Sequence, residues 1–100
     1  MNYILIDTNP VPVSDIYRWS LWMETADRSV ARETVNGYDV STVFLGMDHA
    51  FGGGVPILFE TMVFGSGDLD QYQERYATYE ESIDGHQRIV NAIREGIGLQ

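Results

Sequence analysis

Asn36-Gly37 is the feature that most narrows what this chain can fold into. The pair stands between two runs, Ser29 to Val35 and Tyr38 to Leu45, rich in Val, Thr and aromatic residues. A two-residue turn with positive φ at both central positions suits Asn-Gly, and its twist matches that of antiparallel strands, so this stretch predicts a β-hairpin. The turn also sets a register in which Val35 faces Tyr38, Glu33 faces Val40, Ala31 faces Thr42 and Val30 faces Val43. Arg32 and Asp39 then lie diagonally on one face as a surface ion pair.

Tyr3 to Ile6 predict a short first strand, followed by a stretch whose two prolines, Pro10 and Pro12, forbid a continuing helix or a central strand. Ser14 can cap a helix over about 15–27, with Ile16, Trp19, Met23 and Ala26 on one stripe and Trp22 beside it. Ile57 to Phe64 read as a strand, nearly continuous in apolar residues apart from Glu60 and Thr61, a pattern that predicts a central position covered on both faces. Tyr72 to Ala77 suit a last strand. Thr78 and Glu81 form a capping box that opens a helix with Ile83, His86, Val90, Ile93 and Ile97 on one face. Gly85 inside that helix costs roughly 1 kcal/mol relative to alanine, which a close approach to the sheet would offset. The order βαβββα implies an α+β fold, an antiparallel sheet of four to five strands with two helices packed on it, in a single domain over residues 1–100.

Composition excludes several functions. Without cysteine there is no disulfide, thiolate nucleophile or cysteine-ligated metal. All 6 basic residues are arginine against 15 acids, a formal charge of −9, which argues against direct nucleic-acid binding through a basic surface. The absence of lysine removes Schiff-base chemistry and a phosphate-loop lysine. The first residues carry no basic leader pattern and no apolar run reaches membrane-spanning length, so the expectation is a soluble, cytoplasmic protein with no membrane segment.

Two groups of residues could carry function. Asp48 and His49 in the glycine-rich stretch 46–56, Glu60 in the apolar strand and His86 on the helix stripe are suited to hold a divalent metal or to act as a general base with its orienter. They show no HxH, HExxH or calcium-loop spacing, so no metal is identified and no cofactor is implied. Each also has a structural role open to it. Asp48 can cap its own loop, Glu60 can pair with Arg75 or His86, and His86 can pack on the sheet while bonding a carboxylate or carbonyl. The second group is a binding surface made of Phe51, Gly52, Gly53 and Gly54, or of the acids Asp68, Asp70, Glu80 and Glu81, which belong to the acid-rich stretch 68–84.

The strings Val40-Ser-Thr-Val-Phe-Leu-Gly-Met-Asp-His49, Pro56-Ile-Leu-Phe-Glu-Thr-Met-Val-Phe-Gly65, Arg75-Tyr-Ala-Thr-Tyr-Glu-Glu81 and Gly85-His86 resemble a family of small, functionally uncharacterised proteins of bacteriophages and prophages. The resemblance covers about residues 16–90 and assigns no catalytic residue. It implies an accessory product of the bacterial cytoplasm that binds and modulates a host or defence protein. Two other readings stand beside it: a small metal-dependent or acid/base hydrolase-like enzyme using Asp48, His49, Glu60 and His86, and a virion or assembly component.

Overall fold

The computed structural model describes residues 1–50 and 52–96, whose elements run β1 (Tyr3–Ile6), β2 (Asn9–Pro12), α1 (Ile16–Thr25), β3 (Ser29–Val35), β4 (Tyr38–Phe44), β5 (Phe59–Phe64), β6 (Gln73–Tyr76) and α2 (Tyr79–Glu95). Asn36 and Gly37 take φ of 49° and 83°, as their turn requires. The hairpin register is the expected one at Val35, Glu33 and Ala31, but Ser29, not Val30, opposes Val43. An extra residue at Val30 bulges β3 there, which shifts the last pair by one. β5 and β6 extend the hairpin into an antiparallel sheet in the order β3-β4-β5-β6. The architecture is α+β, with α2 lying across one face of this sheet.

β1 does not join the main sheet; it pairs with β2 in a sheet of its own. The prolines explain why. Val13 N donates to Asn2 O at 2.9 Å, so in the alternating antiparallel ladder Val11 faces β1 as a hydrogen-bonded partner of Ile4. Pro10 and Pro12 then direct their nitrogens to the outer edge, where no ladder donor is needed. The residues that bar a central strand are compatible with an edge.

α1 is shorter than its pattern predicts. Asp15, not Ser14, caps it, accepting from Tyr17 N at 2.9 Å and Arg18 N at 3.3 Å. It rests mainly against β1 instead of lying flat on the main sheet, which it reaches through Trp22, set edge-on against Phe44 with ring centres 5.7 Å apart. α2 opens with the expected capping box between Thr78 and Glu81. Its buried side is Ser82, Gly85, His86, Ile89, Val90 and Ile93, while Ile83 turns outward at 38% exposure. The stripe is rotated from the expected one because the small residues Ser82 and Gly85 let the helix settle onto the sheet along their side; Ile97 lies outside the described residues.

β5 is central in strand order but covered on one face only. Phe59, Thr61 and Val63 point under α2, while Glu60, Met62 and Phe64 lie on the outer face, with Phe64 44% exposed. An antiparallel sheet needs only one covered face, so the apolar run does not require two. Among the described residues no helix is long and apolar enough to cross a membrane.

Candidate functional site

Asp48, His49, Glu60 and His86 each find partners of their own and do not gather. Asp48 Oδ1 accepts from Ala50 N at 2.8 Å and from Ile57 N at 2.9 Å, closing the β4–β5 connection. These two amides hold the Asp48 carboxyl below its ordinary range. His49 Nδ1–H donates to the Met47 carbonyl at 2.8 Å in the same connection. Glu60 stands opposite Arg75 across the β5–β6 ladder and accepts from its Nε at 2.9 Å. The partner is Arg75 and not His86, because alternation puts Glu60 and Thr61 on opposite faces and His86 sits over the Thr61 side. Among the described residues no three His, Asp or Glu side chains come together in a way that could hold a metal ion.

A depressed carboxyl pKa supports the folded state only while the group is ionised. For Asp48 that support is complete above the ordinary carboxylate range, about pH 4, and is lost as pH falls through the lower folded value. The Ala50 and Ile57 amides are therefore expected to exchange hydrogen faster under strong acid. In Asp48→Ala they should exchange fast at every pH. NMR-detected exchange checks both, and amides still protected in Asp48→Ala would show that something else holds the loop.

The polar feature that the fold does assemble lies under α2, and the linear pattern marks only His86 of it. Thr42, Thr61 and Glu74 share one row across β4, β5 and β6. His86 reaches down from α2 to place Nδ1 2.7 Å from Thr42 Oγ1 and Nε2 3.1 Å from Glu33 Oε1. Thr42 and Thr61 hydroxyls are 2.5 Å apart, and Tyr76 donates to Thr61 at 3.1 Å. At the far end Glu74 accepts from Tyr72 at 2.5 Å and pairs with Arg88. Glu33 accepts the Nε2–H, and the belt runs on from Nδ1 through the Thr42 and Thr61 hydroxyls to Tyr76, each hydroxyl able both to donate and to accept.

The belt divides the core. On one side lie Val35, Val40, Val63, Ile89, Val90 and Ile93; on the other Phe44, Leu58 and Phe59. Burial raises the Tyr76 pKa, and the bond to Glu74 raises that of Tyr72. The order Glu33, His86, Thr42 is that of an acid–base–nucleophile relay. Yet Thr42 and Thr61 are fully buried and His86 is 3% exposed, so no substrate can reach the hydroxyl. The belt is a structural seam in which no buried side-chain polar atom lacks a partner among the described residues. One signal for it was present in the sequence: the hairpin register places Glu33 and Thr42 on the same face as Val35, Val40 and Phe44, an inward acid and hydroxyl that call for a partner.

The expected binding groups are also separated. Asp68 lines a cleft with Leu69, Ala92 and Ile93 near the end of α2, whereas Glu80 and Glu81 are in its first turn. From Glu81 to Ile93 the helix rises about 18 Å, so the acids form two sites and not one patch. Two of them have local duties: Asp70 Oδ1 accepts from Gly65 N at 3.0 Å and Glu81 completes the helix cap. Gly52, Gly53 and Gly54 are exposed, with φ of 77°, 85° and 90°, and Phe51 lies outside the described residues. No family model, no curated protein and no solved structure matches this chain.

Proposed function

We propose that this chain is a small binding protein that acts by covering part of a partner's surface, the partner being a bacterial host or defence protein acted on in the cytoplasm. The resemblance to phage accessory proteins supports the class of partner. The observation that carries the binding mode is the outer face of the β3–β6 sheet. There Val43, Met62 and Phe64 form a contiguous apolar strip, since Met62 and Phe64 alternate along β5 and Val43 lies diagonally from Met62. The strip is flanked by two cross-strand ion pairs, Arg32–Asp39 at 2.6 Å and Glu60–Arg75 at 2.9 Å. Among the described residues no helix packs over it.

Solvent-facing sheet positions are ordinarily polar, whereas an aromatic and a methionine between oriented charges have the composition of an interface. The ion pairs contribute little to folding but are set to select and orient a partner. The test is capture of partners from bacterial lysate with immobilised protein, followed by titration of the purified partner. Phe64→Glu is expected to weaken binding at least tenfold while Tm stays within a few degrees, because Phe64 is on the surface. Equal binding by wild type and Phe64→Glu would overturn the sheet-face reading. Loss of binding only when Asp68, Asp70, Glu80 and Glu81 are neutralised would move the site to the acids.

A further inference from the structure

Asn36 is the only asparagine of this chain that is followed by glycine. Both residues of the pair are exposed, and a Cβ built on Gly37 would meet nothing within 4 Å, so among the described residues none crowds that glycine. The Asn36 side chain nevertheless has a duty away from its own turn. Its Nδ2 donates to the carbonyl of Ile93 at 3.0 Å, an acceptor that also takes the Gly96 N–H at 3.2 Å. This bond ties the last turn of α2 to the tip of the β3–β4 hairpin, beside the cleft that Tyr38, Asp68, Leu69 and Ala92 line.

An asparagine before an uncrowded glycine is where a backbone nitrogen most readily attacks a side-chain amide, because glycine has no side chain to hinder the approach. The Gly37 nitrogen gives up its proton and bonds to Cγ of Asn36, while the Cγ–Nδ2 bond breaks and Nδ2 leaves with a proton as ammonia. Water then opens the cyclic imide at either carbonyl. One product is aspartate; the other is isoaspartate, in which the main chain runs through Cγ and is longer by one carbon. While Nδ2 is bonded to Ile93 the side chain is fixed, so ring closure waits for the last turn of α2 to open, as helix ends do. Neither product restores the tie. A carboxylate only accepts, and it would face the carbonyl end of the α2 dipole with Asp68 nearby.

We infer that Asn36 is a modification site whose spontaneous conversion to aspartate and isoaspartate releases the end of α2 from the hairpin, a one-way chemical timer built into the turn. It acts at the end of α2 and does not depend on the sheet-face reading. The chain carries its own comparison. Asp84 also precedes a glycine, but Gly85 is buried within α2, where its nitrogen is engaged in the helix and the backbone is held out of the ring-closing geometry. The two pairs should therefore age differently.

The experiment is incubation of the folded protein for weeks in warm, mildly alkaline buffer, followed by peptide mapping with mass spectrometry. The peptide holding Asn36 is expected to gain one mass unit and to divide into aspartate and isoaspartate forms, while Asp84 acquires no isoaspartate. Asn36→Asp supplies the first product directly and, since Asp-Gly suits the same turn, it reports the lost tie and not a lost hairpin. It is expected to lower Tm by roughly 4 °C and to speed hydrogen exchange at the Gly96 amide roughly tenfold. Asn36→Gly, which also keeps the turn and lacks the donor, should loosen that amide as well. An Asn36 unchanged after weeks overturns the proposal, as does isoaspartate that accumulates at Asp84 as fast as at Asn36. Wild-type Tm in Asn36→Asp, or wild-type protection of Gly96 in either variant, overturns it too, because the side chain would then hold nothing.

Discussion

His86→Ala is expected to destabilise the protein by about 3 kcal/mol, from a cavity under α2 combined with the loss of a hydrogen-bond partner by the buried Thr42 hydroxyl. His86 is 3% exposed and joins Glu33 on β3 to Thr42 on β4. Its removal takes from the fully buried Thr42 hydroxyl one of its two side-chain partners. Thr42→Val keeps the volume and removes only the hydroxyl, so it isolates the polar part of the loss at about 1 to 3 kcal/mol. Thr42→Ser, which retains the hydroxyl and loses a methyl, should lie nearer wild type. Urea denaturation of the three variants is the measurement. For a domain of this size 3 kcal/mol also lowers Tm by roughly 12 to 24 °C. If Thr42→Val were as stable as wild type, the belt would contribute orientation alone and the two apolar clusters would carry the interface.

Gly85→Ala has the next largest expected effect, and its sign opposes helix propensity. Alanine in a helix interior is favoured over glycine by roughly 1 kcal/mol. A methyl on Gly85 would stand 2.3 Å from both Cε1 and the hydroxyl of Tyr76. That ring cannot simply turn aside, since its hydroxyl is bonded to Thr61 at 3.1 Å and lies 3.4 Å from Glu74. α2 must lift or the belt must break, and a net loss of about 1 to 3 kcal/mol is expected. Shortening the ring should relieve it: Gly85→Ala combined with Tyr76→Leu is expected to cost less than the sum of the two single changes, and the double-mutant cycle reads this coupling. A Tm at or above wild type in Gly85→Ala would mean that Tyr76 yields freely.

Both predictions fall on residues whose meaning the linear pattern only half discloses. Gly85 was legible as a point of close approach, because a glycine in an otherwise sound helix needs compensation, but nothing local named Tyr76 as its neighbour. Glu60 was legible as an acid needing a base, and Arg75 is that base; the face on which they meet was not, since alternation tells which residues share a side and not which side α2 covers. Asp48 and His49 drew attention as ligands, yet their nearest donors and acceptors are backbone groups of their own loop. A short polar side chain finds those before it finds anything distant.

What the sequence determined by itself is what acts over a few residues. The Asn36-Gly37 turn, three of the four expected hairpin pairs, the Arg32–Asp39 pair and the Thr78–Glu81 cap all follow from backbone sterics and hydrogen bonds between near neighbours. Only the tertiary structure decided that β1 pairs with β2, that α2 rotates to bury Ser82 instead of Ile83, and that Glu33, Thr42, Thr61, Tyr76 and His86 meet in one seam. It also decided that Tyr17 and Leu21 of α1 face outward. Those outcomes depend on burial, which is not a property of a residue or its neighbours in the chain. It belongs to the surface that another element, distant in sequence, brings against it.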